Sequence, residues 1–127
     1  MLLWLGRECR RIGWTLVWSW RGWRAAWATE KSLRQWTLVN LLSALAAFAL
    51  PLGGGERALI LALGLLILAA ELLNTAIEQA MDCILPQPDP RAAKAKDCAS
   101  AGVAMTALAG AAAWAVVLWG LYGPGAA

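Results

Sequence analysis

The sequence predicts an all-α membrane protein in which an N-terminal amphipathic surface helix precedes three transmembrane helices. Three observations carry that prediction. Of 127 residues, 61% are hydrophobic and 15% charged, against about 45–50% and about 25% in an ordinary soluble domain. The long apolar stretches approach the roughly 20 residues needed to cross a bilayer core. The charges are also concentrated, with seven of the eleven basic residues before residue 35. The length supports a single domain spanning residues 1–127.

The opening Leu2, Leu3, Trp4 and Leu5 is too short for the apolar region of a secretory signal, and Arg7, Arg10 and Arg11 follow it. The N-terminus is therefore expected to be retained. Over residues 7–31, Ile12, Leu16, Trp20, Trp23 and Trp27 recur at helical spacing, and Arg7, Arg10, Arg21 and Arg24 project from the other side, as in a helix lying on a bilayer surface. Trp14 and Trp18 fall on the basic side. Gly13 and Gly22 weaken the helix by about 1 kcal/mol each relative to alanine, so a break is expected near either.

The first span is expected over 33–50, apolar apart from Arg34, Gln35 and a few small polar residues, and closed by a turn at Pro51 and Gly53 to Gly55. A second span, 58–85, is purely apolar in its first half and carries Glu71, Asn74, Glu78 and Asp82 in its second. Pro86, Pro88 and Pro90 cannot continue a regular helix, so residues 86–96 are expected to form a polar loop. The third span, 98–122, is uncharged and rich in alanine and glycine, with Gly102, Ala109 and Gly110 allowing the close backbone approach that packs membrane helices. Six basic residues precede the first span, Arg34 lies at its start, and Arg91, Lys94 and Lys96 lie in the second loop, against Arg57 alone in the first. By the positive-inside rule the N-terminus and the proline loop are cytoplasmic.

Several function classes are disfavoured. The net charge of +3 arises from basic residues interleaved with tryptophan, which fits interfacial anchoring better than nucleic-acid binding. The chain has no histidine, the commonest transition-metal ligand and the usual neutral-pH general base. Cys9, Cys83 and Cys98 show no paired spacing. No phosphate-gripping glycine loop is present, since Gly53 to Gly55 lie on the wrong side of the membrane and read as a turn.

Glu71, Asn74, Glu78 and Asp82 share an arc of about 80° on one helix face. Carboxylates at membrane depth cost a few kcal/mol each, so they are expected to face protein or an aqueous cavity and to have cationic partners. Asp82, close to the helix end, also fits a solvated interfacial carboxylate. A set of carboxylates without histidine suits a hard cation such as Mg²⁺, which bridges one or two carboxylates to substrate phosphates. The pattern points toward phosphoryl transfer.

Ala70 to Asp82, reading AELLNTAIEQAMD, and Ala93 to Val103, reading AKAKDCASAGV, resemble the bacterial integral-membrane diacylglycerol kinase family. Ser19 to Gln35, reading SWRGWRAAWATEKSLRQ, is similar to that family's N-terminal segment, and the spacing of the three blocks fits without gaps. The resemblance implies a homotrimer in the bacterial inner membrane, with active sites shared between subunits, that moves the γ-phosphate of MgATP to a lipid hydroxyl. It implies Glu71 as general base and Asn74 as the residue orienting the reacting groups. Glu30 and Glu78 match the positions that hold the nucleotide's metal. Arg11, Trp18, Ser19, Asp82, Gln87, Asp89, Lys96 and Asp97 match the nucleotide's surroundings, together with Glu30 and Glu78. Arg24, Arg34, Glu71, Ser100 and Trp114 are placed on the lipid side. The loop departs from the family pattern most, because Pro86, Pro88 and Pro90 remove backbone donors. The related branch that phosphorylates undecaprenol shares the acidic helix and the AKD-like motif, although the RAAW and RQ run is closer to the diacylglycerol branch. A non-enzymatic scaffold or cation-permeation subunit, its carboxylates lining a pore, is the reading from another class.

Overall fold

The computed structural model describes residues 2–124, with no side-chain placement for residues 2–7 and 9. The side chains of Arg7 and Cys9 and the segment 125–127 therefore lie outside the described residues. Four helices follow in order: α1 (Leu2–Thr29), α2 (Lys31–Ala49), α3 (Gly54–Ile84) and α4 (Pro90–Tyr122), with no strand among the described residues. The centre is α3, which packs along α4 on one side and α2 on the other, and α1 touches α2 and α3 only near its C-terminal end.

The glycines of α1 do not break it. The helix runs unbroken through Gly13 and Gly22, since one glycine costs only about 1 kcal/mol and a 28-residue helix spreads that cost over many intact hydrogen bonds. Trp14 stacks on Trp18 with ring centroids 6.4 Å apart, and Trp23 on Trp27 at 6.1 Å. Ile12, Leu16 and Trp20 stay exposed, and from Arg10 onward only Trp23 and Ala26 turn inward.

Two arginines fasten the bends. Arg34 reaches back from α2 and donates from Nη1 to the carbonyls of Trp27 at 2.7 Å and Ala28 at 3.4 Å, acceptors left without partners at the end of α1. Arg57 does the same for α2, donating from Nε to the Ala47 carbonyl at 3.0 Å and from Nη2 to that of Leu52 at 3.2 Å, with its guanidinium over the Phe48 ring. The turn between α2 and α3 is shorter than the glycines suggested. Gly53 is the N-cap, its N–H donating to the Glu56 carboxylate at 2.8 Å, and Gly54 and Gly55 are already helical.

The polar loop expected over 86–96 is shorter than expected, because helix resumes at Pro90. Proline at the first helical position loses nothing, as its missing N–H would have no partner there, and its fixed φ suits the helix. Asp89 supplies the N-cap, its Oδ1 accepting from the Arg91 N–H at 2.7 Å. The segment assigned to the second half of the loop is thus the first two turns of α4, and Lys96 and Asp97 sit on a helix.

Large apolar side chains are exposed on α2, α3 and α4: Leu41, Leu45 and Phe48 on α2, Leu65, Leu66 and Leu73 on α3, Met105, Leu108 and Val116 on α4. Water does not solvate so much contiguous apolar surface, and lipid does. Both α3 and α4 are long and apolar enough to cross a membrane. At 1.5 Å per residue α3 is about 46 Å long. Between them, Ala47, Leu52, Ile60 and Val117 form a buried cluster at the end of the bundle remote from the acidic residues, with Leu50, Trp114 and Leu121 packed against it.

Candidate functional site

The site grows from one stripe of α3. Ile60, Gly64 and Ile67 lie on the same helical face as Glu71, Asn74 and Glu78, and the first three floor a groove of about 690 Å³ between α2 and α4. The stripe turns from apolar to polar where the groove ends. Glycine at position 64 lets the Asn40 side chain of α2 lie against the helix, in space that a Cβ would occupy.

Glu71 is 3% exposed, and among the described residues no side chain hydrogen-bonds it. One turn on, Asn74 donates from Nδ2 to Glu78 Oε1 at 2.9 Å, and its own Oδ1 is buried without a partner. An orphaned buried acceptor carries a desolvation cost of about 1–3 kcal/mol that an arriving donor or cation relieves. The column therefore offers a buried carboxylate, an unpartnered amide oxygen and a half-buried carboxylate whose second oxygen accepts no hydrogen bond from the described residues.

Glu30 stands at the N-cap of α2, yet its side chain caps nothing. Its Oε1 accepts from the Thr29 hydroxyl at 2.8 Å, and the carboxylate is half-buried at the elbow between α1 and α2. No hydrogen bond joins Glu30 to Glu78 among the described residues, and no three acidic or cysteine side chains among them form a metal-binding cluster. That donor chemistry still fits Mg²⁺ held with a nucleotide, which needs one or two protein carboxylates and takes its remaining oxygens from phosphate and water. The unpartnered Oδ1 of Asn74 beside Glu78 is open to a further hydrogen-bond donor.

Four of the residues expected near a nucleotide are brought together. Asp82, Gln87, Asp89 and Lys96 line one open basin of about 610 Å³ at the α3–α4 turn. Across it Lys96 Nζ pairs with Asp82 Oδ1 at 2.5 Å. The fork of Arg91 on its side chain, aided by the Arg91 backbone N–H, holds the Asp89 carboxyl below the usual carboxylate range. Asp97 is exposed on α4 close by.

Other residues are set apart. Arg11 pairs with Glu8 at 2.7 Å on exposed α1, and Trp18 is exposed and stacked on Trp14. Ser19 lines a cleft between α1 and α3 with Trp23, Ala26 and Thr75. Arg24 and Ser100 are exposed on α1 and α4. The guanidinium of Arg34 is engaged with the end of α1. Trp114 lies at the far end of the groove from Glu71, its indole N–H donating to Ser43 Oγ at 2.8 Å.

Sequence reasoning passed over Asn40, Ser43 and Thr75. The signal was present, since each is a polar side chain inside an apolar helix, where its cost demands a packing or functional reason. Thr75 is 7% exposed and faces α1 across the cleft.

Comparison with known proteins decides the family. Residues 17–118 match the family described as prokaryotic diacylglycerol kinase. The chain belongs to the prokaryotic diacylglycerol kinase family. Its relatives include the "Diacylglycerol kinase" of Pseudomonas aeruginosa, 41% identical over 101 residues that cover 78% of this chain and 80% of that protein. That of Escherichia coli is 33% identical over 105 residues, covering 83% and 86%. That of Helicobacter pylori is 34% identical over 113 residues, covering 89% and 84%. The family match contains α3, the loop and all of α2, together with α1 from Val17 and α4 to Leu118. Every candidate site residue except Arg11 falls inside it.

Proposed function

We propose that this membrane protein is an ATP-dependent lipid kinase that phosphorylates the free hydroxyl of diacylglycerol to give phosphatidic acid. The observation that carries the reading is the α3 stripe. The α3 face that floors an apolar groove as far as Ile67 continues one turn on to a buried carboxylate, and beyond it to an amide and a second carboxylate. An amphiphile whose reactive hydroxyl sits between its tails and water fits that order.

Glu71 accepts the proton of the lipid hydroxyl as its oxygen bonds to the γ-phosphorus, while the bond from phosphorus to the β–γ bridging oxygen breaks and ADP departs. Asn74 positions the group at its unpartnered Oδ1. Glu30 and Glu78 would hold Mg²⁺, which supplies charge neutralisation at the nucleotide phosphates. Lys96 releases Asp82 and turns toward phosphate as a compact cation. Positioning and charge neutralisation dominate phosphoryl transfer in general.

The protein acts as a homotrimer in the bacterial inner membrane. Each subunit contributes three spans, α2 being the shortest, with the N-terminus and proline loop cytoplasmic. The basic residues of α1 and the start of α4 support the orientation, and the exposed apolar stripe of α1 supports its lying on the bilayer.

The test is transfer of labelled phosphate from MgATP by the purified protein in mixed micelles offering diacylglycerol and undecaprenol side by side. Preferential labelling of diacylglycerol is expected. Preferential labelling of undecaprenol would replace the substrate assignment, and labelling of neither would overturn the kinase reading.

A further inference from the structure

Glu30 belongs to two helices at once. Its backbone N–H closes the last turn of α1, donating to the Ala26 carbonyl at 2.7 Å, while its extended backbone, φ −91° and ψ 112°, opens α2 as the N-cap. Arg34 fastens the carbonyls of Trp27 and Ala28 just before it. The main chain at the elbow is therefore pinned, and the freedom left to Glu30 lies in its side chain. Asp89, in the same position at the start of α4, uses its carboxylate for capping and accepts the Arg91 N–H at 2.7 Å. Glu30 makes no such bond.

What holds the Glu30 carboxylate is Thr29. A threonine on a helix can turn its hydroxyl to the carbonyl four residues back, as Thr15 does to Arg11 at 3.0 Å and Thr37 to Leu33 at 2.8 Å. Thr29 Oγ1 instead stands 3.3 Å from the Ala25 carbonyl and 2.8 Å from Glu30 Oε1. A hydroxyl has one proton to donate, and the shorter contact with a charged acceptor takes it. No ion pair among the described residues involves Glu30. The Thr29 hydroxyl is therefore the one side-chain partner of the carboxylate there, and Oε2 is left open.

We propose that Thr29 is a positioning residue, whose hydroxyl holds Glu30 off the start of α2 and keeps its second oxygen available to the divalent cation that accompanies the nucleotide. This rests on the reading of Glu30 as a metal-holding carboxylate and adds to it the residue through which that carboxylate is set. A glutamate side chain loses considerable rotamer freedom when it is ordered, and Thr29 supplies part of that order before the cation arrives. Partners that hydrogen-bond a ligating carboxylate are worth about 10–100-fold in metal affinity. Thr29 is exposed, which puts its share at the lower end.

The experiment uses the full-length protein in mixed micelles. It reads Mn²⁺ binding by electron paramagnetic resonance in the presence of a non-hydrolysable ATP analogue, alongside the Mg²⁺ dependence of phosphatidic acid formation. Thr29→Val keeps the shape and the β-branch and loses the hydroxyl, whereas Thr29→Ser keeps the hydroxyl. Valine is expected to weaken Mn²⁺ binding about tenfold and to raise the half-saturating Mg²⁺ concentration by the same factor, with kcat at saturating Mg²⁺ near that of wild type. Serine is expected to restore both. With Glu30→Gln in place, Thr29→Val should have no further effect on Mn²⁺, the coupling that a double-mutant cycle isolates. Wild-type Mn²⁺ affinity in Thr29→Val would overturn the proposal. So would equal weakening by valine and serine, or a valine effect that survives Glu30→Gln, since either marks a general disturbance of the elbow. Wild-type Mn²⁺ affinity in Glu30→Gln would overturn the metal role of Glu30 and the proposal with it. Failure of the wild type to phosphorylate any lipid would overturn the kinase reading, while the Mn²⁺ cycle still decides the role of Thr29.

Discussion

Replacing Glu71 by glutamine separates its chemistry from its packing. The side chain is 3% exposed, so truncation to alanine would leave a cavity and confound turnover with folding. Glutamine keeps the shape, and because no described side chain hydrogen-bonds Glu71, the exchange strands no partner. What is lost is the ability to take a proton from the lipid hydroxyl. General-base catalysis contributes about 10²–10⁴-fold, so kcat should fall by that factor, equivalent to roughly 2.7–5.5 kcal/mol in the barrier. The KM for ATP should change little, since the proposed nucleotide site lies toward Glu78 and the α3–α4 basin. Initial rates of phosphatidic acid formation at saturating MgATP, with nucleotide binding and oligomeric state measured on the same preparation, decide the matter. A Glu71→Gln protein turning over within tenfold of wild type would refute the assignment of the base. A large loss of nucleotide binding would show that Glu71 serves the donor instead.

Three further outcomes follow from the geometry. Glu30→Gln and Glu78→Gln should each raise the Mg²⁺ concentration needed for half-maximal rate steeply, and an unchanged Mg²⁺ titration in both would place the metal elsewhere. Arg34→Ala removes the donor on the Trp27 and Ala28 carbonyls; it should loosen the α1–α2 elbow and speed tryptic cleavage after exposed Lys31, whereas cleavage at the wild-type rate would show that the elbow holds without it. Asp89 is held below the usual carboxylate range by Arg91, so its folded-state pKa is depressed and its contribution is complete above the unfolded value and lost as pH falls through the folded one. Hydrogen-exchange protection of the Arg91 amide should therefore persist through mild acid and fail only below the usual carboxylate range. In Asp89→Asn that acid limb should vanish, and its survival would assign the titration to another group.

The helices were legible because membrane spans announce themselves by long apolar runs, which α3 and α4 both contain. What failed was local. The proline loop was overextended because three prolines in five residues read as a barrier to helix, when Pro90 preceded by Asp89 is a helix start. Gly13 and Gly22 suggested a break that the length of α1 overrides. Boundaries depend on a single cap or a single missing donor, whereas spans depend on the sum over twenty residues.

The site divided the same way. Glu71, Asn74 and Glu78 were legible as a column because helical period alone puts them there, and residues sharing one helix need no tertiary information. Asp82 and Lys96 required α4 to fold back on α3, and the bridge from Trp114 to Ser43 required three helices to be placed together. Neither contact has a period that a sequence could show. The groove has one, however. Ile60, Gly64 and Ile67 continue the Glu71 column at the same spacing, so the stripe carrying the acidic residues at one end carries a glycine and two isoleucines at the other. A helix buried wholly for stability would fill that stripe with apolar residues throughout. A pore would keep it polar across the bilayer. The change from apolar to acidic partway along one face is what a substrate with its reactive hydroxyl at the interface requires, and it separates the lipid-kinase reading from a scaffold or a channel.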